Sequence, residues 1–108
     1  MVLRTFLRSK IHRAVVTTSD LNYVGSLTID SNLMKIARLC EYKQVQIADV
    51  ENGARLETYV IPGSKGSGII GTNGAAARFL GVGDHIIIMA YAQVSEPLPD
   101  HWGPTIVL

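Results

Sequence analysis

Short runs of β-branched and apolar residues, with few helical segments between them, most constrain the fold of this chain. At least six short strands are predicted, and the run at 44–49 alternates polar and apolar residues. They cover residues 11–18, 23–30, 44–49, 55–61 and 85–92, together with a short extended segment at 105–108. Regular crossover helices do not separate them, so a doubly wound parallel sheet is not expected. The pattern favours a mainly β protein, a small closed barrel in which closure removes exposed strand edges.

Two short helices are predicted beside the strands. Asp30 or Ser31 is expected to cap the first, which runs to Cys40. Its apolar stripe has the spacing i, i+3, i+4, i+7 and consists of Leu33, Ile36, Ala37 and Cys40. We therefore expect the Cys40 thiol to lie in the core rather than to act as a nucleophile. The second helix covers residues 73–80, with Asn73 as its cap.

Composition and charge exclude several classes of protein. The 108 residues make one domain, and a hydrophobic content of 47% is enough for a core. A net charge of +1 provides no field that would attract nucleic acid or an anionic membrane. No apolar run approaches the roughly 18 residues of a membrane span, and no signal-peptide pattern is present, so a cytoplasmic protein is expected. The three histidines lack metal-ligand spacing, so we expect no metal site.

Several local motifs leave their function open. The glycine-rich segment 63–68 lacks the phosphate-loop pattern and is better interpreted as a flexible connection. The segment 71–74 precedes a helix and could be an anion site or a plain capped turn. Lys10 and His12 share a strand face, which favours a solvated basic edge. Arg55 and Tyr59 also share a face, either as ordinary surface or as a carboxylate clamp beside a proton donor.

Five motifs, in order, resemble the pyruvoyl-dependent aspartate 1-decarboxylase family over nearly the whole chain. They are SKIHRA (9–14), LNYVGSLTID (21–30), NGARLETYVI (52–61), the glycine- and alanine-rich segment 66–78, and the segment 83–92 that ends in AYA. The resemblance implies a six-stranded double-psi β-barrel with short appended helices. It also implies decarboxylation of L-aspartate to β-alanine and CO₂ for pantothenate and coenzyme A biosynthesis.

In that family an inactive precursor cuts itself before a serine, which here is the bond between Gly25 and Ser26. The single domain 1–108 would become a β chain, 1–25, and an α chain, 26–108. Ser26 would become a covalent pyruvoyl group whose ketone condenses with the substrate amine and accepts its electrons. Because Gly25 has no Cβ, its backbone can adopt the strained conformation that this attack requires.

The resemblance also assigns the site residues. Ser26 and Tyr59 are catalytic, Tyr59 as the proton donor to the carbanion, and Gly25, Ser26 and Thr58 take part in processing. The substrate-binding positions are Arg55, Thr58, Gly74, Ala75, Ala76, Lys10 and Asn73. No role is assigned to His12, and no metal is implied.

Strand alternation places Thr58 and Tyr59 on opposite faces, although the family uses both. Either a bulge or a site between subunits would reconcile them, and the family is a homotetramer with sites at its interfaces. A maturation factor is another partner to consider. The alternative function is a noncatalytic small-barrel module, binding DNA or acting as an adaptor. The low net charge argues against DNA, and the Gly25-Ser26 pair has no purpose in such a module.

Overall fold

Eight strands hydrogen-bond into a mixed sheet that carries two short helices. The computed structural model describes residues 1–108. The strands are β1 (Leu3–Val15), β2 (Thr18–Asp20), β3 (Ser26–Asp30), β4 (Gln44–Asp49), β5 (Arg55–Gly63), β6 (Ile70–Asn73), β7 (His85–Ser95) and β8 (Thr105–Val107). Helix α1 spans Ser31–Ile36, and a 3-10 helix spans Gly74–Arg78. None of the helices is long and apolar enough to span a membrane.

The strand order is β2-β6-β3-β5-β4-β7-β1-β8. Strand β3 is antiparallel to β6 and parallel to β5, so it lies between them. Only two residues separate β1 from β2; Val16 donates its N–H to Asp84 near β7, and Thr17 donates to Ile70 of β6. The two residues between β1 and β2 therefore bond to β6 and to the residue before β7, two strands that are not neighbours in the sheet. The prediction of a mainly β protein is confirmed, whereas the closed six-stranded double-psi arrangement stays a prediction.

The core lies between the inward faces of the central strands. Leu27 and Ile29 of β3, Ile47 of β4, and Ile86 and Ile88 of β7 are each no more than 1% exposed. Their spacing of two residues is the alternation that a half-buried strand requires. The alternation predicted for β4 is confirmed, and its turn into β5 contains Gly53 with a φ of 75°.

The prediction for the first helix is only partly correct. The Asp30 carboxylate accepts the N–H of Asn32 at 2.9 Å, so Asp30 is the cap. The helix ends at Ile36, and Arg38 has a left-handed φ of 60°. This early end turns the chain away before Cys40, which is exposed. The prediction of a core thiol is therefore wrong.

Strands β1 and β6 differ from prediction because hydrogen bonding to distant strands sets where they begin and end. Strand β1 begins at Leu3, since Leu3 pairs with Ser95 of an equally extended β7. Strand β6 lies where no strand was predicted and is held by β3 on one side and β2 on the other. The second helix is a five-residue 3-10 turn, and Asn73 makes no capping hydrogen bond with its side chain.

Candidate active site

Ser26 is a buried hydroxyl at the first position of β3. The residue is 1% exposed, and its Oγ donates to the carbonyl oxygen of Val24 at 3.2 Å. The same Oγ accepts a hydrogen bond from Asn73 Nδ2 at 3.0 Å. Ser26 and Asn73 are partners in the β3–β6 ladder, which brings the two side chains together. The hydroxyl is therefore held in one orientation, directly after the Gly25 carbonyl.

Asn73 uses both hydrogens of its amide nitrogen at this site. Nδ2 donates to Ser26 Oγ and, at 2.9 Å, to Thr28 Oγ1. An N-cap residue acts through its side-chain oxygen, which accepts a backbone N–H at the start of the helix. Asn73 occupies the cap position before the 3-10 helix, but its side chain makes no capping hydrogen bond, so the predicted cap is confirmed in position only. Sequence reasoning did not identify Thr28, although its position two residues after Ser26 places both on one strand face.

Gly74 packs directly against the backbone of Gly25, beside the proposed cleavage bond. Its φ is +64°, and a Cβ there would lie 2.7 Å from Gly25 Cα and 2.9 Å from Gly25 N. Real Cβ atoms do not approach backbone so closely, so only glycine fits. Gly25, by contrast, is outside the left-handed region, and a Cβ on it would meet nothing within 4 Å. Gly25 is therefore unstrained in this structure, and its ability to adopt a strained conformation during the attack stays a prediction.

A cavity of about 200 Å³ opens beside the Gly25-Ser26 bond. Strand β5 and the 3-10 helix form two of its walls. Its lining residues are Gly25, Leu56, Glu57, Thr58, Asn73, Ala75, Ala76 and Phe79. The structure thus brings together five residues that the sequence singled out from three separate segments: Gly25, Thr58, Asn73, Ala75 and Ala76. A cavity of this size suits a small metabolite better than a drug-sized ligand.

The remaining candidate residues do not line this cavity. Tyr59 is half-buried and pairs with Gln44 of β4, and its ring centroid lies 5.9 Å from that of Tyr42. Arg55 is exposed at the start of β5. Lys10 lies on β1, opposite Met89 of β7. Within one chain, the proposed proton donor and both cations are therefore absent from the lining of this cavity, although Tyr59 precedes Val60, the partner of Leu27 in the β3–β5 ladder.

Strand β5 is regular where a bulge had been considered. Its pairing with β4 runs without a shift from Tyr59 opposite Gln44 to Arg55 opposite Ala48. Its pairing with β3 is equally regular. The bulge interpretation is wrong, and Thr58 and Tyr59 point to opposite faces of the strand. The other explanation, a site shared between subunits, stays a prediction.

A larger cavity of about 370 Å³ lies elsewhere on β4, β5 and β7. Hydrogen bonds from Lys43 Nζ to the Tyr91 carbonyl, 2.6 Å, and from Gln44 to Glu57, 2.8 Å, cross its walls. None of the predicted site residues lines it.

The Asp30 carboxylate joins β3 to the glycine-rich connection. It accepts the N–H groups of Gly66 at 3.1 Å and Gly68 at 2.8 Å, in addition to that of Asn32. These donors, Gly68 foremost, lower the pKa of Asp30 below its ordinary value. The connection is thus tied down at the opposite end of the strand that begins with Ser26.

Known proteins similar in sequence place the chain in a family. Residues 2–108 match the sequence model of aspartate decarboxylase. The aspartate 1-decarboxylase of Clostridium beijerinckii is 55% identical over 106 residues, covering 98% of this chain and 86% of that protein. The enzyme of the same name from Clostridium botulinum is 55% identical over 103 residues, covering 95% and 81%.

A search of solved structures returned the computationally designed protein msDPBB_sym2. It is 19% identical, with a TM-score of 0.49, and the match covers 81% of this chain and 99% of that one. That likeness is too low to support an argument about function. The aspartate decarboxylase sequence model, by contrast, matches every residue but the first, and the relative from Clostridium beijerinckii is 55% identical. These matches show that this chain belongs to the aspartate decarboxylase family.

Proposed function

We propose that this protein is an aspartate 1-decarboxylase, which converts L-aspartate to β-alanine and CO₂ for pantothenate biosynthesis. The observation that carries the proposal is the buried Ser26 hydroxyl, held by Asn73 beside a small cavity and next to Gly25. A noncatalytic binding module has no use for such a hydroxyl. The names of the two relatives support the same activity.

The first reaction is a cut in the chain's own backbone. Ser26 Oγ attacks the Gly25 carbonyl carbon, and the peptide C–N bond breaks to leave an ester. Elimination then breaks the Cβ–Oγ bond of residue 26 and releases the Gly25 carboxylate. Water hydrolyses the remaining dehydroalanine, which loses ammonia and becomes a pyruvoyl group. The products are residues 1–25 and residues 26–108.

The residues present fit a pyruvoyl group at position 26. The group is made in place from Ser26, so it needs no pocket beyond the one that the serine already occupies. Asn73 Nδ2, now a donor to Ser26 Oγ, is suited to donate to an oxygen there. When formed, the ketone supplies a sink for the electron pair that the departing carboxylate leaves behind.

Thr58 and the 3-10 helix act on the cleavage bond from the cavity side. Thr58 lines the cavity together with Gly25, and its hydroxyl is suited to stabilise the oxyanion on the Gly25 carbonyl. Gly74 allows the helix backbone to approach Gly25, and Ala75 and Ala76 leave room for a substrate. These residues orient the substrate and exclude water.

Arg55 and Lys10 are assigned to substrate binding, and Tyr59 is assigned to protonation of the substrate. Arg55 and Lys10 have no carboxylate partner, since the ion pairs of the chain are Arg4 with Glu96 and His85 with Glu51. The planar guanidinium of Arg55 suits bidentate binding of one aspartate carboxylate, and Lys10 supplies a second positive charge. The Tyr59 hydroxyl donates the proton that replaces the lost carboxylate.

A second copy of the chain is proposed to complete the site, because none of these three residues lines the cavity beside Gly25. A regular β5 directs Thr58 and Tyr59 to opposite faces, so each copy would present Tyr59 to its neighbour's cavity. We therefore include a homotetramer with interfacial sites in the proposal, as an enzyme of the cytoplasm. No maturation factor is needed for the chemistry as written, and incubation of the pure protein tests that point.

Intact-mass measurement during incubation tests the proposal. The wild-type chain is expected to split after Gly25, and the larger fragment to carry a ketone that reacts with hydrazine. Ser26→Ala is expected to remain whole and to produce no β-alanine. Ser64→Ala, which alters an exposed loop serine, serves as the matched control and cuts normally. Production of β-alanine by Ser26→Ala, or a wild-type chain that stays whole on prolonged warming, would contradict the proposal.

A further inference from the structure

Three carboxylates converge at one end of the sheet, outside the cavity beside Ser26. Asp49 is the last residue of β4, Glu51 lies in the turn that follows, and Asp84 immediately precedes β7. One carboxylate oxygen from each lies within 4.8 Å of the others. Acidic groups often meet on protein surfaces without a ligand, so the cluster needs a second observation to carry meaning.

Asp49 supplies that observation. The residue is 2% exposed, and its Oδ1 accepts the N–H groups of Glu51 at 2.8 Å and Asn52 at 3.3 Å. Its Oδ2 is buried and has no hydrogen-bond partner. The same carboxyl lies within hydrogen-bonding reach of the Asp84 carboxyl. A buried carboxylate oxygen without a partner is expensive, so native proteins normally satisfy it with a donor or a cation.

The charges around the cluster do not balance. Neither ion pair of the chain brings a lysine or arginine to it. The one basic neighbour is His85, whose Nδ1 lies 2.8 Å from Glu51 Oε1 and whose backbone N–H donates to Glu51 Oε2. Asp84 receives only the N–H of Gly81, at 3.1 Å. Burial first, and then the neighbouring Asp84 carboxyl, raises the pKa of Asp49 above its ordinary value.

We propose that Asp49, Glu51 and Asp84 form a binding site for one hard divalent cation, Ca²⁺ or Mg²⁺. Carboxylate oxygens are the ligands these cations prefer, and a turn can add carbonyl oxygens or water. Asp49 Oδ2 would gain its missing partner, and the charge of the three carboxylates would be largely neutralised. The histidine and cysteine spacing that predicted no metal site could not reveal this cluster, because its ligands are carboxylates from two distant turns.

A cation here would join two turns and brace one wall of the catalytic cavity. Asn52, in the same turn as Glu51, donates from Nδ2 to the Phe79 carbonyl oxygen at 2.8 Å. Phe79 lines the cavity beside Gly25. The cation is therefore assigned to stability and takes no part in the chemistry, so this inference stands whether or not the decarboxylase proposal holds.

Thermal unfolding of the full chain, freed of metal with EDTA and held at neutral pH, tests the inference. CaCl₂ or MgCl₂ is expected to raise Tm by roughly 5–10 °C for each tenfold increase above the dissociation constant. Sodium chloride at equal ionic strength controls for screening. Asp84→Asn should abolish the shift, whereas Asp100→Asn, a change in the exposed tail, should retain it.

Glu51→Gln, at an exposed turn position, provides the same readout if Asp84→Asn does not fold. Calorimetric titration of the wild-type protein with each salt should yield one site per chain and identify the preferred cation. A Tm that responds to neither cation, or a shift that Asp84→Asn and Glu51→Gln both keep, overturns the site. If neither cation changed the Tm, a proton shared by the Asp49 and Asp84 carboxyls would instead balance their negative charge.

Discussion

Asn73 Nδ2 lies 3.0 Å from Ser26 Oγ and donates a hydrogen bond to it. The amide is itself held by Thr28 Oγ1, so the reactive hydroxyl, the amide and the second hydroxyl form a short buried chain. Two ladder partners on β3 and β6 thus orient the group on which the proposed self-cleavage depends.

We expect Asn73→Ala to slow self-cleavage by about 100-fold, because the hydroxyl loses the donor that orients it. The rate of appearance of the two fragments, followed by intact mass, measures the effect. Asn22→Ala, at an exposed position, is the control. Cleavage of Asn73→Ala at the wild-type rate would show that the hydrogen bond has no part in the reaction.

Thr28 is expected to act through Asn73 rather than on the reacting atoms. Thr28→Val removes the acceptor of the second amide hydrogen, so cleavage should slow. Thr28→Ser keeps the acceptor and should restore the rate. A merely structural role would make the two variants differ in unfolding free energy but not in cleavage rate.

Gly74→Ala should reduce both stability and cleavage, whereas Gly25→Ala should fold normally. A Cβ on Gly74 meets Gly25 Cα at 2.7 Å at a positive φ, which we expect to lower the unfolding free energy by about 1–3 kcal/mol. A Cβ on Gly25 meets nothing within 4 Å. Urea denaturation of both variants checks the contrast, and equal midpoints would show that the backbone approach is unimportant.

Tyr59→Phe is expected to separate the two reactions. Cleavage at Gly25 should proceed, because Tyr59 does not line the cavity beside that bond. Turnover of aspartate should fall by about 10²–10⁴-fold, since the proton donor is lost while the ring packing against Tyr42 is kept. The kcat of the fully cleaved variant is the measurement. An unchanged kcat would remove Tyr59 from the proposed role.

Arg55→Ala should raise the KM for aspartate by about 10–100-fold, the loss expected for a charge-assisted hydrogen bond. Its stability should not change, because Arg55 is exposed and has no partner. Steady-state kinetics on the cleaved enzyme measures the effect, with Lys65→Ala in the exposed glycine-rich connection as the control. If the KM stayed at its wild-type value, the substrate clamp would have to be sought elsewhere.

Acid is expected to destabilise the protein through Asp30. Three backbone N–H donors lower its folded pKa below the ordinary value of 3.8, so the unfolded state binds the proton more tightly. The contribution is therefore complete well above pH 3.8 and is lost as the pH falls through the folded pKa. Asp30→Asn should be less stable than wild type at neutral pH, with a difference that shrinks in acid. Urea midpoints across this range test it, and a constant difference would contradict the linkage.

Local patterns predicted the parts of the fold that depend on neighbours along the chain. The alternation of β4 and the cap at Asp30 follow from periodicity and capping chemistry. The end of α1 could not be predicted, because the residue that adopts the left-handed conformation there is Arg38 and not the glycine that usually marks a helix end. That one turn moved Cys40 from the predicted core to the surface.

The amino-acid sequence by itself determined that the protein is mainly β and that it belongs to the aspartate decarboxylase family. It also identified Gly25-Ser26 as the candidate cleavage bond. Only the tertiary structure decided that Asn73 holds Ser26, that Gly74 rather than Gly25 bears the steric demand, and that Asp49 meets Asp84. Each of these contacts joins residues more than thirty positions apart. Such contacts depend on which strands pair and in which register, and local periodicity contains no information about either.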